Sequence, residues 1–410
     1  MRETAEAADI AASGQRAALV GIAGSQLLVL TLWFSASAVA PQLETEWGLT
    51  SGQTAGLTLA VQIGFVIGAL VLAGLGIADV VPARKLFLWS ALAGATANAA
   101  LVVLGPDDLL VALTLRGITG VALAGVYPSG LKVMAGWFER GRGMALGVLV
   151  GALTVGSAGP HLIRGLGLGW EGVVVGASML AVLGAVLMQR MVSDGPFEVS
   201  AARFSMGQIG RVVRNRGVRL STLGYLGHMW ELYAMWTWTA SFLAASAAAA
   251  GVGDGFVPTA TFVIIASGGA GAWVAGVLAD RYGRTLVAGG AMVVSGTVAL
   301  SSPLVFGAAP WLVVAVFVVW GIAVVADSAQ FSAMVTETAD DATRGTALTV
   351  QVALGFLLTL VTIRGVPLIA DAIGWRWAFP WLALGPLLGV AAMVRLRRST
   401  VARQLAGGLG

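Results

Sequence analysis

The 410-residue chain contains no cysteine, which excludes disulfides, thiolate nucleophiles and cysteine-based metal clusters. Two histidines are too few for a His-rich zinc site, so we expect no metal. No G-x-x-x-x-G-K-[ST] phosphate loop occurs, and nucleotide hydrolysis therefore has no visible site. We expect no other cofactor. Charge is scarce as well, because only 11% of residues are Asp, Glu, Lys or Arg. A soluble chain of this length needs far more charge to cover its surface. No nucleophile–base constellation is apparent, and we do not expect an enzyme.

Apolar residues are abundant: 58% of the chain is hydrophobic and the mean hydropathy is +0.88. A bilayer removes the need for surface charge, and about 20 apolar residues in helical form cross it. The 57 glycines fit the same solvent, since small residues let membrane helices approach. We read twelve spans, near 17–41, 53–78, 84–104, 108–138, 142–166, 171–190, 218–246, 256–279, 285–306, 309–337, 343–369 and 376–394. The expectation is an all-α integral membrane protein in two six-helix bundles, 17–190 and 218–398. Residues 1–16, 191–217 and 399–410 then form the N-terminal segment, the linker and the tail.

Basic residues set the orientation. With the N-terminus inside, the cytoplasmic loops hold Arg84, Lys85, Arg140, Arg142, Arg281, Arg284 and Arg344. The linker adds Arg203, Arg211, Arg214 and Arg216, and the tail adds Arg395, Arg397, Arg398 and Arg403. The opposite loops carry Glu44, Glu46, Asp107, Asp108, Glu171, Asp254 and Asp371, with Arg376 as the exception. Both termini are therefore expected in the cytoplasm of a multi-pass plasma-membrane (inner-membrane) protein. The net charge of +4 reflects topology rather than nucleic-acid binding.

The halves repeat. Gly276-Val-Leu-Ala-Asp280-Arg281-Tyr-Gly283-Arg284 corresponds to Gly76-Ile-Ala-Asp79-Val-Val-Pro-Ala-Arg84, the aspartates lying 201 apart. Arg142-Gly-Met-Ala-Leu-Gly matches Arg344-Gly-Thr-Ala-Leu-Thr at 202, and Leu162-Ile-Arg164-Gly matches Thr362-Ile-Arg364-Gly at 200. One shared spacing argues for two halves in parallel orientation. The G-x-L-A-D-R-x-G-R loop resembles the signature of the major facilitator superfamily, complete from Gly276 to Arg284. In the first copy Leu75, Val80 and Pro82 replace consensus residues. The resemblance covers about Ala17 to Arg398. It implies alternating access by two rocking bundles, with helices one, two, four, five, seven, eight, ten and eleven lining a central cavity. It also implies a gating role at the cytoplasmic side for Asp79, Arg84, Asp280, Arg281 and Arg284; the plainer alternative is solvated loop charge. Arg116 with Gly120 resembles a second motif linked to proton coupling. The helix-five glycines with Pro160 resemble an antiporter motif.

Ionisable residues inside spans are costly and read as functional. On helix seven Tyr225, His228, Glu231, Met235 and Trp238 follow helical spacing that predicts one shared face. Glu231 falls about twelve residues in from one end, near the bilayer middle. A carboxyl that alternates between dry and wet surroundings changes its proton affinity, and imidazole titrates near neutrality. Glu231, His228, Asp327 and Arg116 are accordingly expected to couple protons, the alternative for Glu231 being a packing hydrogen bond. Gln62, Tyr225, Trp238, Gln330, Gln351, Arg164 and Arg364 are the expected cavity residues, the two arginines serving as either an anion clamp or an outer gate.

Two readings stand. One is a secondary active, proton-coupled transporter of a small organic solute, preferentially an exporter. The alternative is a proton-linked importer of a small organic or inorganic anion, which Arg116, Lys132, Arg164 and Arg364 would favour. Protons, solute and lipid are the expected partners of a functional monomer, with no role for nucleic acid. A passive channel or receptor is disfavoured by the duplicated loop.

Overall fold

The computed structural model describes residues 2–138, 142–197 and 204–410, with the side chains of 2–13, 78–79 and 142–143 outside the description. Arg140 and Arg203 therefore lie outside the described residues, as do the side chains of Asp79 and Arg142. Twelve long helices are described. They are α1 (Arg2–Leu30), α2 (Ser51–Gly74), α3 (Ala83–Ala99), α4 (Leu109–Trp137), α5 (Arg142–Arg164) and α6 (Trp170–Met191), followed by α7 (Arg216–Ala249), α8 (Val257–Tyr282), α9 (Arg284–Val305), α10 (Pro310–Thr338), α11 (Arg344–Ile373) and α12 (Leu384–Arg397). Ten of the described helices are long and apolar enough to cross a membrane on their own. The exceptions are α1 and α7. The second concentrates Arg216, Arg219, His228 and Glu231 in one helix.

Helix pairing reproduces the repeat. In the first half α1 packs on α5 and α6, α2 on α4, and α3 on α4 and α6. In the second, α7 packs on α11 and α12, α8 on α10, and α9 on α10 and α12. The halves meet along two equivalent seams, α2 with α11 and α5 with α8. Glycine sets the closest approaches. A methyl group at Gly120 would run into the Val61 carbonyl, and one at Gly321, 201 residues later, into the Ile264 carbonyl. Both chain ends lie on one face, hereafter the terminal face. There Gln15 donates to the Trp137 carbonyl and Ala406 donates to the Glu337 carboxylate.

Three expectations need correction. The first span is not one helix to Pro41: it unwinds over residues 31–34 and resumes as the short helices Ser35–Ala38 and Ala40–Glu46. The tenth breaks at Asp327 into Pro310–Ala326 and Ser328–Thr338. The twelfth begins as 3-10 turns at Trp375–Trp377 and Pro380–Ala383 before becoming α-helical. No glycine or proline stands at either internal break; tertiary contacts make them.

Candidate functional site

Where α1 unwinds, the carbonyls of Leu32 and Trp33 lose their helical partners and need donors, since hydrocarbon offers none. Arg116 on α4 supplies them. Its guanidinium donates to the carbonyls of Leu32 (3.1 Å), Trp33 (2.7 Å) and Leu57 (3.4 Å), and to Ser35 Oγ and Asn98 Oδ1. Asn98 passes the tie on to α6 through the Val174 carbonyl and Ser178. The side chain is 0% exposed, and the hydrogen-bond partners described for it are neutral. Arg116, expected in proton coupling, holds the break in a fixed shape. Arg116→Ala should orphan several buried acceptors at roughly 1–3 kcal/mol each. We expect a large fall in unfolding temperature, read by the loss of monodisperse protein after heating in detergent. An unchanged midpoint would contradict this role.

The second half holds the buried acids. His228 Nδ1 and Asp327 Oδ1 face each other at 2.7 Å, with both side chains almost fully buried. Asp327 is the residue at which α10 breaks, so its carboxylate reaches α7 from the end of one helical piece and the start of the next. Tyr225 and Phe331 pack against the imidazole, with centroids 6.0 and 5.8 Å away. Glu231 lies one turn further along α7 and points between α9 and α10. Its Oε2 accepts from Ser295 Oγ at 2.8 Å, and its Oε1 from Trp320 Nε1 at 2.6 Å. The expected single face is therefore divided. Tyr225 packs on Gly355 of α11, and Trp238 donates to the Ile363 carbonyl at 2.9 Å. Glu231 turns into the bundle, where Ser295 and Trp320 are the partners that sequence spacing had not revealed.

Gln330 follows Asp327 by one turn and accepts from Arg284 Nη1 at 3.1 Å. Arg284 also grips Glu337 Oε1 through Nε (2.8 Å) and Nη2 (2.6 Å). Gln330, expected at the substrate, thus lies one turn from the His228–Asp327 pair and is hydrogen-bonded to the signature loop. The tail closes over the same loop. The Thr285 N–H donates to the Gly410 carbonyl, and Leu405 is fully buried. Asp280 and Arg281 are exposed, and no ion pair of theirs occurs among the described residues. In the first half Arg84 approaches Asp194 at 3.9 Å.

The repeat-related arginines do not converge. Arg164 donates to the Ala38 carbonyl at 2.8 Å and shares a cavity of about 160 Å³ with Asp254, at the α5–α8 seam. Arg364 is exposed and lies against Gly52, at the α2–α11 seam. Near that second seam Ser51 donates to Asp371 at 2.9 Å, joining the halves on the face opposite the termini. Gln62 and Gln351 are fully buried with both amide atoms unpartnered, and so is the imidazole of His161, which sequence reading passed over.

Glu44, in the short helix Ala40–Glu46 outside the spans, adds a pH term to this face. Burial is the largest cause pushing its carboxyl above the ordinary glutamate range. The Thr54 hydrogen bond opposes the rise and the Asp371 charge adds to it. A raised value means that the folded seam holds this proton more tightly than an opened chain does. The contribution is full below the ordinary carboxylate pKa and is lost as pH rises through the raised one. Between about pH 4 and pH 7 the unfolding temperature should therefore fall more steeply for wild type than for Glu44→Gln. Parallel curves would remove Glu44 from the account.

Comparison with curated proteins finds no match. A family model described as Major Facilitator Superfamily matches residues 22–265, which take in the α1 break, the rest of the first bundle, Glu231 and the start of α8. That match covers more than half of the chain, and the chain belongs to the major facilitator superfamily of membrane transporters.

Proposed function

We propose that the protein is a secondary active transporter that moves a small organic solute by rocking its two bundles, coupled to protons through His228, Asp327 and Glu231. The observation that carries this reading is the buried His228–Asp327 contact of 2.7 Å at the α10 break, one helical turn from Glu231. Titratable groups buried this deeply in a membrane protein are expensive and belong by default to ion or proton pathways. Protonating Asp327 removes the negative charge that faces His228, and the contact loosens. The lower piece of α10 then moves with Gln330, which pulls on Arg284 and the Arg284–Glu337 pair. A proton step thereby reaches the signature loop without a long conformational wire.

The terminal face is taken as cytoplasmic, with the protein a monomer in the plasma membrane. Asp280 and Arg281 are placed to latch this face in the alternate state, while Ser51–Asp371 and the Arg164–Asp254 cavity belong to the opposite gate. Export follows from the helix-five motif. Anion uptake has less support, because Arg116 is committed to the α1 break and Arg164 and Arg364 stand at separate seams. The protein acts as a carrier and performs no chemistry on its solute. A thermal-shift screen of purified protein across metabolites and drugs would identify a solute, whose accumulation in proteoliposomes is then measured with and without a pH gradient. Accumulation indifferent to the gradient would sink proton coupling.

A further inference from the structure

Six aromatic rings interleave across the boundary between the bundles. Trp33 and Phe34 stand on the unwound turn after α1, Phe65 on α2, Tyr233 and Trp236 on α7, and Phe356 on α11. Rings from opposite halves touch directly: Phe65 and Phe356 at 4.5 Å, Trp33 and Phe356 stacked at 5.6 Å, Phe34 and Tyr233 stacked at 5.9 Å, and Phe34 edge-on to Trp236 at 5.8 Å. All six are buried. Rocking the bundles must part these contacts and remake them in every cycle. Ordinary aromatic packing would leave no polar atom stranded, yet the buried indole N–H groups of Trp33 and Trp236 have no acceptor among the described residues. Gln62, one turn before Phe65, is buried with its amide equally unpartnered. A stranded donor gives up the hydrogen bonds that water would offer it, so several on one seam point to a partner that comes and goes.

The chemistry of that partner follows from what faces the rings. The carboxylate of Glu231 is taken by Ser295 and Trp320, and that of Asp327 by His228. Arg116 holds the Trp33 carbonyl from behind with its donors engaged. Among the described residues around these rings an anion meets no uncommitted cation, and a cation meets no uncommitted carboxylate and cannot use an N–H donor. Flat π faces with stranded donors suit an uncharged ring that carries acceptors.

We infer that the solute is an uncharged, planar aromatic or heteroaromatic molecule with hydrogen-bond acceptors, held between Trp33, Phe65, Tyr233 and Phe356 and bonded by the indole N–H groups of Trp33 and Trp236. The inference rests on the transporter reading, since the rings must separate to admit it.

Three analogues of one shape test it on the purified full-length protein: quinoline, N-methylquinolinium and quinoline-2-carboxylate. Binding is measured by calorimetric titration near neutral pH, with no membrane and no gradient. Quinoline should bind at least tenfold more tightly than either charged analogue. Trp236→Phe and Trp33→Phe each keep a ring and remove one donor; quinoline has a single acceptor nitrogen, so at least one of the two should weaken it three- to tenfold while the protein stays monodisperse. A charged analogue that binds as well as quinoline overturns the inference, as does unchanged affinity in both variants or no binding by any of the three. Proton movement on adding quinoline to proteoliposomes is scored separately. Binding without proton movement would count against coupling and leave the solute class standing.

Discussion

Asp327→Asn is expected to abolish gradient-driven accumulation while leaving exchange between equal pools intact. Asparagine keeps an oxygen facing His228 but cannot carry the exchangeable proton or its charge. One coupled proton and one pH unit sustain about a tenfold concentration ratio, because each is worth 1.4 kcal/mol. The variant should lose that whole factor. Exchange needs only that the bundles rock around bound solute, so it should persist, and its survival shows that the protein has folded. His228→Gln should produce a weaker form of the same defect, since imidazole answers the charge rather than bearing the principal proton. Wild-type accumulation in Asp327→Asn would leave Glu231 as the carrier.

Asp280→Arg should stop transport without preventing membrane insertion. In this conformation Asp280 is exposed and forms no ion pair among the described residues, so the substitution breaks no contact visible here. On the proposed alternating-access cycle its effect comes from the alternate state, in which the terminal face closes and a carboxylate opposite arginine becomes arginine opposite arginine. Arg284 of the same loop does not offset the change, because it is already committed to Glu337 and Gln330. The expected loss of turnover is on the order of tenfold or more, the rate equivalent of 1.4 kcal/mol. Asp79→Arg should do less, because Val80 and Pro82 break the motif around it. Flux measured at equal protein per liposome decides the matter, and wild-type rates in Asp280→Arg would retire the latch.

The twelve helices, the two halves and the signature loop were legible in the sequence for a simple reason. Membrane spans are written in long apolar runs, and duplication leaves a fixed spacing, so Asp79 with Asp280 and Arg164 with Arg364 announced the symmetry. What stayed hidden was everything decided by contacts between distant residues. Nothing in Thr31-Leu-Trp-Phe34 breaks a helix by itself; the break stands because Arg116 on another helix takes up the freed carbonyls. An ideal helical wheel put Glu231 and Trp238 on one face, yet one side chain answers Ser295 and Trp320 and the other answers α11. Gln330 was expected to line the cavity, and its bond from Arg284, 46 residues earlier, stayed hidden because no local pattern shows that Arg284 turns back to meet it. The repeat-related arginines illustrate the opposite hazard. Symmetry places them equivalently, but equivalence about a pseudo-twofold axis sends them to two separate seams.

The absence of cysteine opens a direct test of the central claim that protonation of the α7–α10 acids drives the rocking. Spin labels can be placed at single introduced cysteines without removing any native thiol. Met191 and Leu286 are exposed on the terminal face in opposite halves, and Leu166 and Val252 are exposed on the other face. Distance distributions for the Met191–Leu286 and Leu166–Val252 pairs should be recorded in lipid discs across a pH series, in the wild-type background and in Glu231→Gln/Asp327→Asn. The account predicts that in wild type the two pairs change in opposite senses with pH, one widening as the other narrows, and that the double variant holds a single distribution throughout. The same pH-dependent exchange in the double variant would contradict it.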